Sequence, residues 1–481
     1  MTKFSLDQDG SRQTASGQVV SSPFFTEQGF PHQVFREYDI RGIADEEITE
    51  DFAYSLAQAY AQLLPVDVAK PVVVARDVRL SGLRLQQAVM RGLIELGIDV
   101  IDLGMVPTPM AYYAVYHLQT AGCIMVTASH NPSEYNGFKL MLGKESFHGE
   151  ALQTLKKNML KPTIKRAAAQ GSIERQDLSQ VYADFVIQDC TLERPLKVVI
   201  DAGNGPAGLV AAPVYRGLGC DVVELFCEPD GRFPNHHPDP TVEENMQDIA
   251  AKVREVGADL GVAFDGDGDR IGVVDEQGHI IWGDMLLLLL SRELLAEHAG
   301  ATVISEAKSS QLLYDDIQAR GGHAIMWQTG HSLMKAKIKE TGALLAGEMS
   351  GHFFFADRYF GFDDAVYAGA RLMQLLAAKK APLSSLLNDL PSKVSTPEIR
   401  MDCPDAKKFG IVEAAKQYFA NEGYVMNTID GMRLHHAGGW ALLRASNTQP
   451  ALVFRYEADD DASLRQLRVL LEGWLEQHLG S

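Results

Sequence analysis

Residues 259–275 read DLGVAFDGDGDRIGVVD. Two short apolar, β-branched runs flank a turn built only from Asp, Gly and Arg, a pattern that predicts strand, turn, strand. Asp265, Asp267 and Asp269 fall at i, i+2 and i+4. In a plain strand they would share one face, and Gly266 and Gly268 let the backbone curl so that all three carboxylates converge. Carboxylates packed that closely repel unless a cation neutralises them. Hard oxygen ligands select Mg²⁺, Mn²⁺ or Ca²⁺. A calcium-binding EF-hand loop would place Gly at its sixth position and Glu at its twelfth. Glu276 meets the second demand, but Arg270 stands at the sixth position and the flanks read as strands, not helices. A solvated acidic turn is the plain alternative, since Asp-Gly is ordinary turn chemistry; the apolar strand that follows at once argues against it. Arg270 adds a guanidinium at the same turn, suited to clamping a phosphate.

The strand–turn rhythm continues on both sides. PVVVARD (71–77) reads as a strand, LRLQQAVMRGLIELG as a helix ending at Gly97, and DVIDLG and AGCIMVTAS as strands. LKVVIDAGNG and CDVVELF repeat the theme before the acidic turn, and ATVISEAKSS and GGHAIMWQTG repeat it after. Such alternation predicts α/β units with mixed or parallel sheets. Towards the C-terminus YVMNTID, GMRLHHAG, GWALLRAS and ALVFRYEA follow closely, then the amphipathic SLRQLRVLLEGWLEQHL. That end predicts an antiparallel sheet with a helix. The fold class expected is α/β: three related mixed α/β domains plus a smaller C-terminal α+β domain. We place the domains at 29–175, 176–280, 281–392 and 393–481, after a flexible polar extension over residues 1–28.

Composition narrows the function. A chain of 481 residues exceeds a single core. Its formal net charge of −19 argues against nucleic acid or an anionic membrane as partner. An acidic protein that handles phosphate esters must therefore gather its cations locally. Five cysteines, none in a Cys-x-x-Cys pair, read as buried free thiols of a reducing compartment. The run MLLLLLSRELLA from Met285 is broken by Ser291, Arg292 and Glu293 and falls far short of the roughly 20 residues that span a membrane. It reads as a buried helix, and the expected setting is the cytoplasm.

Further motifs carry possible chemistry. In VTASHNPSEYNGFK (126–139) an apolar strand ends abruptly and puts Ser129 on a loop at its C-terminal end, where α/β sheets commonly build sites. His130 and Lys139 are placed to orient or deprotonate groups nearby; an ordinary serine turn is the alternative. In AGEMSGHFFF (346–355) Glu348 and Ser350 offer acceptors for sugar hydroxyls between two glycines, unless the segment is a simple hairpin turn. In LLRASNTQP (442–450) Arg444, Ser446, Asn447 and Thr448 combine a guanidinium, hydroxyls and an amide suited to a phosphate dianion, or form a plain loop. Tyr38 and Arg41 in REYDIRG, Lys308 in SEAKSS and His331 in QTGHS would serve the same need.

Together these motifs resemble the α-D-phosphohexomutase superfamily, from FREYDIRG near residue 35 through RASNTQP near 450. TASHNP, TGHS and GEMSGH resemble its bacterial phosphomannomutase/phosphoglucomutase branch. Phosphoglucosamine mutases usually carry Gln where Met349 stands. The resemblance implies four domains around a central cleft. It implies a phosphoserine at Ser129, and one Mg²⁺ held by Asp265, Asp267, Asp269 and a phosphoserine oxygen. Glu348 and Ser350 would take sugar hydroxyls, and Arg444, Ser446, Asn447 and Thr448 the phosphate that does not react. Tyr38, Arg41, Lys139, Arg270, Lys308, His331 and His352 would complete the pocket, with Lys139 and His352 expected in proton transfer. The implied reaction interconverts 1-phospho and 6-phospho mannose or glucose through a hexose 1,6-bisphosphate, which also serves as activator. A phosphoglucosamine mutase and a Mg²⁺-dependent sugar-phosphate phosphatase are the alternatives. The expected partner is a small phosphosugar, and a monomer is expected.

Overall fold

The computed structural model describes residues 12–13, 19–20, 25, 27–65, 70–161, 169–446 and 450–479. The expected extension over 1–28 lies largely outside them. The chain forms two compact units, Met1–Ile281 with Ser350–Leu383, and Trp282–Met349 with Ser384–Ser481.

In the first unit, Val72–Arg76 runs parallel to both Val100–Met105 and Gly122–Val126. Tyr135–Leu142 then returns antiparallel to Gly122–Val126, and Ile40–Ile43 pairs with its far edge. The β-branched run at 72–74 is wholly buried, which is why it reads as unbroken Val. Helices Glu50–Ala61 and Gly82–Ile94 cover this sheet with Leu56, Leu85, Val89 and Leu93, and Phe30, Phe35, Phe52 and Phe138 fill the same core. The second helix stops at Ile94, short of Gly97. The amides of Leu96 and Gly97 bond to the carbonyls of Leu93 and Ile94, tightening the last turn, and Gly97 takes the left-handed φ of 79° beyond it.

The second sheet of this unit is ordered Asp221–Leu225, Lys197–Asp201, Leu260–Phe264, Ile271–Asp275, Ile280–Ile281. The central antiparallel pair puts Phe264 opposite Ile271 and so closes the acidic turn between them. Segment 350–383 returns to this unit, which the linear order of motifs does not announce. Its Gly351 carbonyl accepts the Ile271 amide at 3.0 Å, and Arg270 bridges to His352. Helix Ala365–Lys379 starts where the Asp364 side chain accepts from the Tyr367 amide.

In the second unit, Thr302–Glu306 lies between His323–Trp327 and Leu345–Gly347, parallel to both. Helix Gly283–Glu297 buries Leu286 through Leu290, as its apolar run predicts. Among the described residues no helix is long and apolar enough to cross a membrane. The C-terminal strands Val425–Asn427, Met432–His436, Gly439–Ala445 and Ala451–Ala458 form an antiparallel sheet. Helices Asp405–Asn421 and Asp461–Leu479 contribute Val412, Phe419, Leu467 and Leu471 to its core. The fold is multi-domain α/β, with α+β character at its C-terminal end.

Candidate active site

The acidic turn is built around one carboxylate oxygen. Asp265 Oδ1 accepts from the amides of Gly268, Asp269 and Arg270 at 3.0–3.1 Å, which fixes the curl that the two glycines allow. Asp265 Oδ2 is left to face Ser129, whose Oγ donates to it at 2.7 Å. Ser129 stands just past the strand Gly122–Val126, with a left-handed φ of 51°. For a residue with a Cβ this conformation costs roughly 1–2 kcal/mol, and such strain tends to persist where function requires it.

Lys139 projects from the neighbouring strand Tyr135–Leu142. Its ammonium donates to Asp267 Oδ2 at 2.7 Å and also to Asp269 Oδ2. Thr108 donates its hydroxyl to Asp267 Oδ2 at 2.5 Å. His130 Nδ1 lies 3.1 Å from Ser129 Oγ. Arg41 donates to Asp39 at 2.7 Å and to the Asn131 side chain at 2.7 Å, which holds it beside the serine loop. His352 receives the Arg270 Nε–H on Nε2 at 3.0 Å, while its Nδ1 faces Asp363 at 3.1 Å and Asp269 at 3.7 Å.

The electrostatics follow from burial. Ser129, Lys139 and the three aspartates are all buried. Burial, then the charges of Asp267 and Asp269, pushes the Asp265 carboxyl up to about 8. Burial acts the same way on Asp267, but the Lys139 ammonium overrides it and holds that group well below the usual carboxylate range. Lys139 loses solvation too, yet Asp267 and Asp269 keep it protonated beyond its ordinary range. The turn thus holds one carboxylate more than its local cation satisfies. Its three ligand oxygens lie within 4.8 Å of one another. Asp267 Oδ1 and Asp269 Oδ1 are buried without a hydrogen bond. Orphaned buried carboxylate oxygens fit a hard divalent cation.

A second cluster lies in the other unit. Lys308 Nζ sits 3.4 Å from Glu306 and 3.0 Å from Glu398. Arg444 Nε sits 3.0 Å from Asp430, which also accepts from the Thr329 amide at 3.0 Å. Glu348 accepts the Gly330 amide at 2.8 Å, one residue before His331 opens the helix His331–Thr341. Glu306 accepts from the Met349 amide at 2.9 Å and from the Thr329 hydroxyl. Burial raises the Glu306 carboxyl. For Glu398 burial pulls upward as well, but Lys308 and Arg400 prevail and hold it below its ordinary range.

The sequence-predicted residues thus fall into two groups. Ser129, His130, Lys139, Arg41, Arg270, His352 and the three aspartates gather in the first unit. Lys308, His331, Glu348 and Arg444 lie in the second. Tyr38 and Ser350 are half-buried in the first unit. Ser446 is buried in the second, where its carbonyl accepts from Lys408 at 2.6 Å. Asn447 and Thr448 lie outside the described residues. Sequence reading missed Asp39, Thr108, Asp363, Glu306, Glu398 and Asp430. Asp39 and Glu306 sit inside the quoted motifs REYDIRG and SEAKSS; the others have no local signal.

Comparison with known proteins decides the family. Models of the phosphoglucomutase/phosphomannomutase alpha/beta/alpha domains I, II and III match residues 32–164, 180–278 and 282–394, and that of the C-terminal domain matches 398–472. The chain belongs to the phosphoglucomutase/phosphomannomutase family. A phosphomannomutase/phosphoglucomutase of Pseudomonas putida is 45% identical over 91% of this chain and 94% of that protein. A phosphoglucomutase of Neisseria gonorrhoeae is 45% identical over 92% and 97%. The crystal structure of a family protein from Burkholderia thailandensis matches with a TM-score of 0.86 at 43% identity, covering 93% of this chain and 98% of that one. The chain is an enzyme of the family's mutase, hence isomerase, class.

Proposed function

We propose that this phosphohexomutase interconverts the 1-phosphate and 6-phosphate of mannose and of glucose by carrying the phosphoryl group on Ser129. The observation that supports it most is Ser129 Oγ, 2.7 Å from Asp265 in a turn of three buried carboxylates crossed by Lys139. The pairing of both sugars rests on the names of its relatives. A phosphoglucosamine mutase or a phosphatase is not favoured by those relatives.

Asp265, Asp267, Asp269 and Ser129 would hold the cation, which we take to be Mg²⁺; when bound it supplies charge neutralisation at the transferring phosphoryl. The Ser129 Oγ–P bond breaks as the free hydroxyl of a hexose monophosphate takes the phosphoryl, giving the hexose 1,6-bisphosphate. Ser129 Oγ then takes back the other phosphoryl, which leaves the isomeric monophosphate. Lys139 acts as a fixed positive charge, because two carboxylates hold its proton. His352 is the better candidate for the hydroxyl proton. Its Nδ1 faces Asp363, and Nε2 takes the hydroxyl proton by exchanging away the Arg270 Nε–H that occupies its lone pair. His130, beside Ser129 Oγ, orients the serine. Arg41, Tyr38 and Arg270 bind the reacting phosphate. In the second unit Glu348 and His331 read the sugar. There Lys308, Arg444, Ser446, Asn447 and Thr448 grip the phosphate that stays. Ser350 takes a sugar hydroxyl.

Mass spectrometry of the purified protein is expected to find phosphate on Ser129. Ser129→Ala is expected to reduce turnover of glucose 1-phosphate by about a thousandfold or more. A Ser129→Ala protein with wild-type turnover would end this reading.

A further inference from the structure

Ser129 sits in a turn whose geometry its own residues do not favour, since its φ of 51° is left-handed. Four carbonyl oxygens of this turn meet a single side chain. Arg79 Nη2 donates to the carbonyls of Ser129 at 2.8 Å and Asn131 at 2.5 Å. Nη1 of the same guanidinium donates to those of Pro132 at 2.5 Å and Tyr135 at 2.9 Å. Its Nε faces Asp77 Oδ2 at 3.2 Å, and both side chains are fully buried. The Phe233 ring covers the guanidinium, its centroid 5.3 Å away.

Asp77 completes the frame. It stands directly after the strand Val72–Arg76. It accepts the Arg79 amide at 2.9 Å and the Thr127 hydroxyl at 2.8 Å. Thr127 Oγ1 in turn accepts the Ser129 amide at 2.9 Å. The N–H and the C=O of Ser129 therefore both lead to the Asp77–Arg79 pair. Burying such a pair adds little stability by itself, whereas a satisfied buried network selects one conformation. A planar guanidinium suits this task because its donors form a rigid fork.

We propose that Arg79, with Asp77 and Thr127, is a positioning set that aims Ser129 Oγ for phosphoryl transfer by holding the backbone of its turn. The proposal rests on Ser129 as the phosphoryl carrier. Arg79 does its work through carbonyl groups, so it is a positioning residue.

Two variants test it. Arg79→Lys keeps the charge but gathers its donors on one atom, which cannot span four carbonyls. Thr127→Val keeps the volume and removes the acceptor for the Ser129 amide. Steady-state kinetics with glucose 1-phosphate and glucose 1,6-bisphosphate are expected to show kcat reduced about 100-fold in Arg79→Lys. Thr127→Val is expected to lose about tenfold. KM for glucose 1-phosphate stays within about threefold in both, the signature of a lost transition-state alignment. A purely structural role would lower the melting temperature and leave kcat per folded molecule unchanged, and that result overturns the proposal. So does a loss confined to KM. If Arg79→Lys does not fold, Thr127→Val decides alone: wild-type kcat there overturns the proposal. Wild-type protein without phosphate on Ser129 would instead sink the carrier reading, so the two failures are distinct.

Discussion

The carboxylate clusters of the first unit and of the second are balanced in opposite ways. Asp265, Asp267 and Asp269 come from one turn and share one ammonium, that of Lys139, which reaches only two of them. The third, Asp265, is pushed up to about 8 by burial and then by its neighbours. Glu306, Glu398 and Asp430 come from distant segments, and each meets a cation: Lys308 for the first two, Arg444 for the last. Glu398 is accordingly held below its ordinary range. The first cluster is short of positive charge, and on the proposed function a cation from solution would complete it. The second is supplied already, and a phosphate that bound there as proposed would have to share cations that are engaged. In both units, buried guanidiniums pin the functional loop by its carbonyls. Arg79 holds residues 129–135, and Arg433 holds the carbonyls of Ala307 and Ser309 at 2.8–2.9 Å on either side of Lys308.

Removing divalent cations should separate the two clusters most sharply. A chelator is expected to lower mutase turnover by about 100-fold or more, with recovery on adding Mg²⁺. Full turnover in chelator would show that the first cluster is not short of charge, and the contrast would fail. Removing the cation of the second cluster comes next in size. Lys308→Met leaves Glu306 buried without its ammonium, a loss of about 3 kcal/mol, visible as a lower melting temperature. KM for the hexose phosphate should rise about tenfold with the lost charge. A Lys308→Met protein as stable as wild type would mean that the second cluster is not balanced by cations after all.

The same contrast explains what the sequence revealed. The first cluster was legible because its carboxylates are two residues apart and lie between two readable strands. Ser129 was legible as the end of a buried strand at a Pro-containing turn. Asp363 was not, because only the folding of segment 350–383 back on itself, through the Phe354–Asp363 bridge, brings it to His352, and nothing in FGFDDA marks that contact. Glu398 and Asp430 escaped for the same reason, since tertiary folding alone brings them to Lys308 and Arg444. Arg79 was overlooked because it contacts carbonyls, which any sequence supplies, so no partner residue type betrays it. That the sheets are mixed or parallel followed from the alternation of β-branched runs and helices. Helix ends were less legible, as at Ile94, because backbone bonds carry a closing turn on to the glycine three residues beyond.

The smallest effect concerns acid. Burial works to raise Glu398, but Lys308 and Arg400 more than offset it, so its folded pKa lies below the ordinary 4.5. A carboxyl lowered on folding contributes stability that is fully present above its unfolded pKa and is lost as pH falls through the folded one. Glu398→Gln removes that contribution. At neutral pH the variant should be less stable by about 1 kcal/mol. The gap should narrow as pH falls below about 4.5, where the unfolded wild-type carboxylate begins to take up its proton while the folded one still holds its charge. Asp265 carries the opposite sign, since a carboxyl raised on folding favours the fold more as pH falls. It is common to both proteins, so the difference between their melting curves isolates Glu398. A gap that held constant into acid would mean that Lys308 and Arg400 do not stabilise the charged form, and the second cluster would then resemble the first.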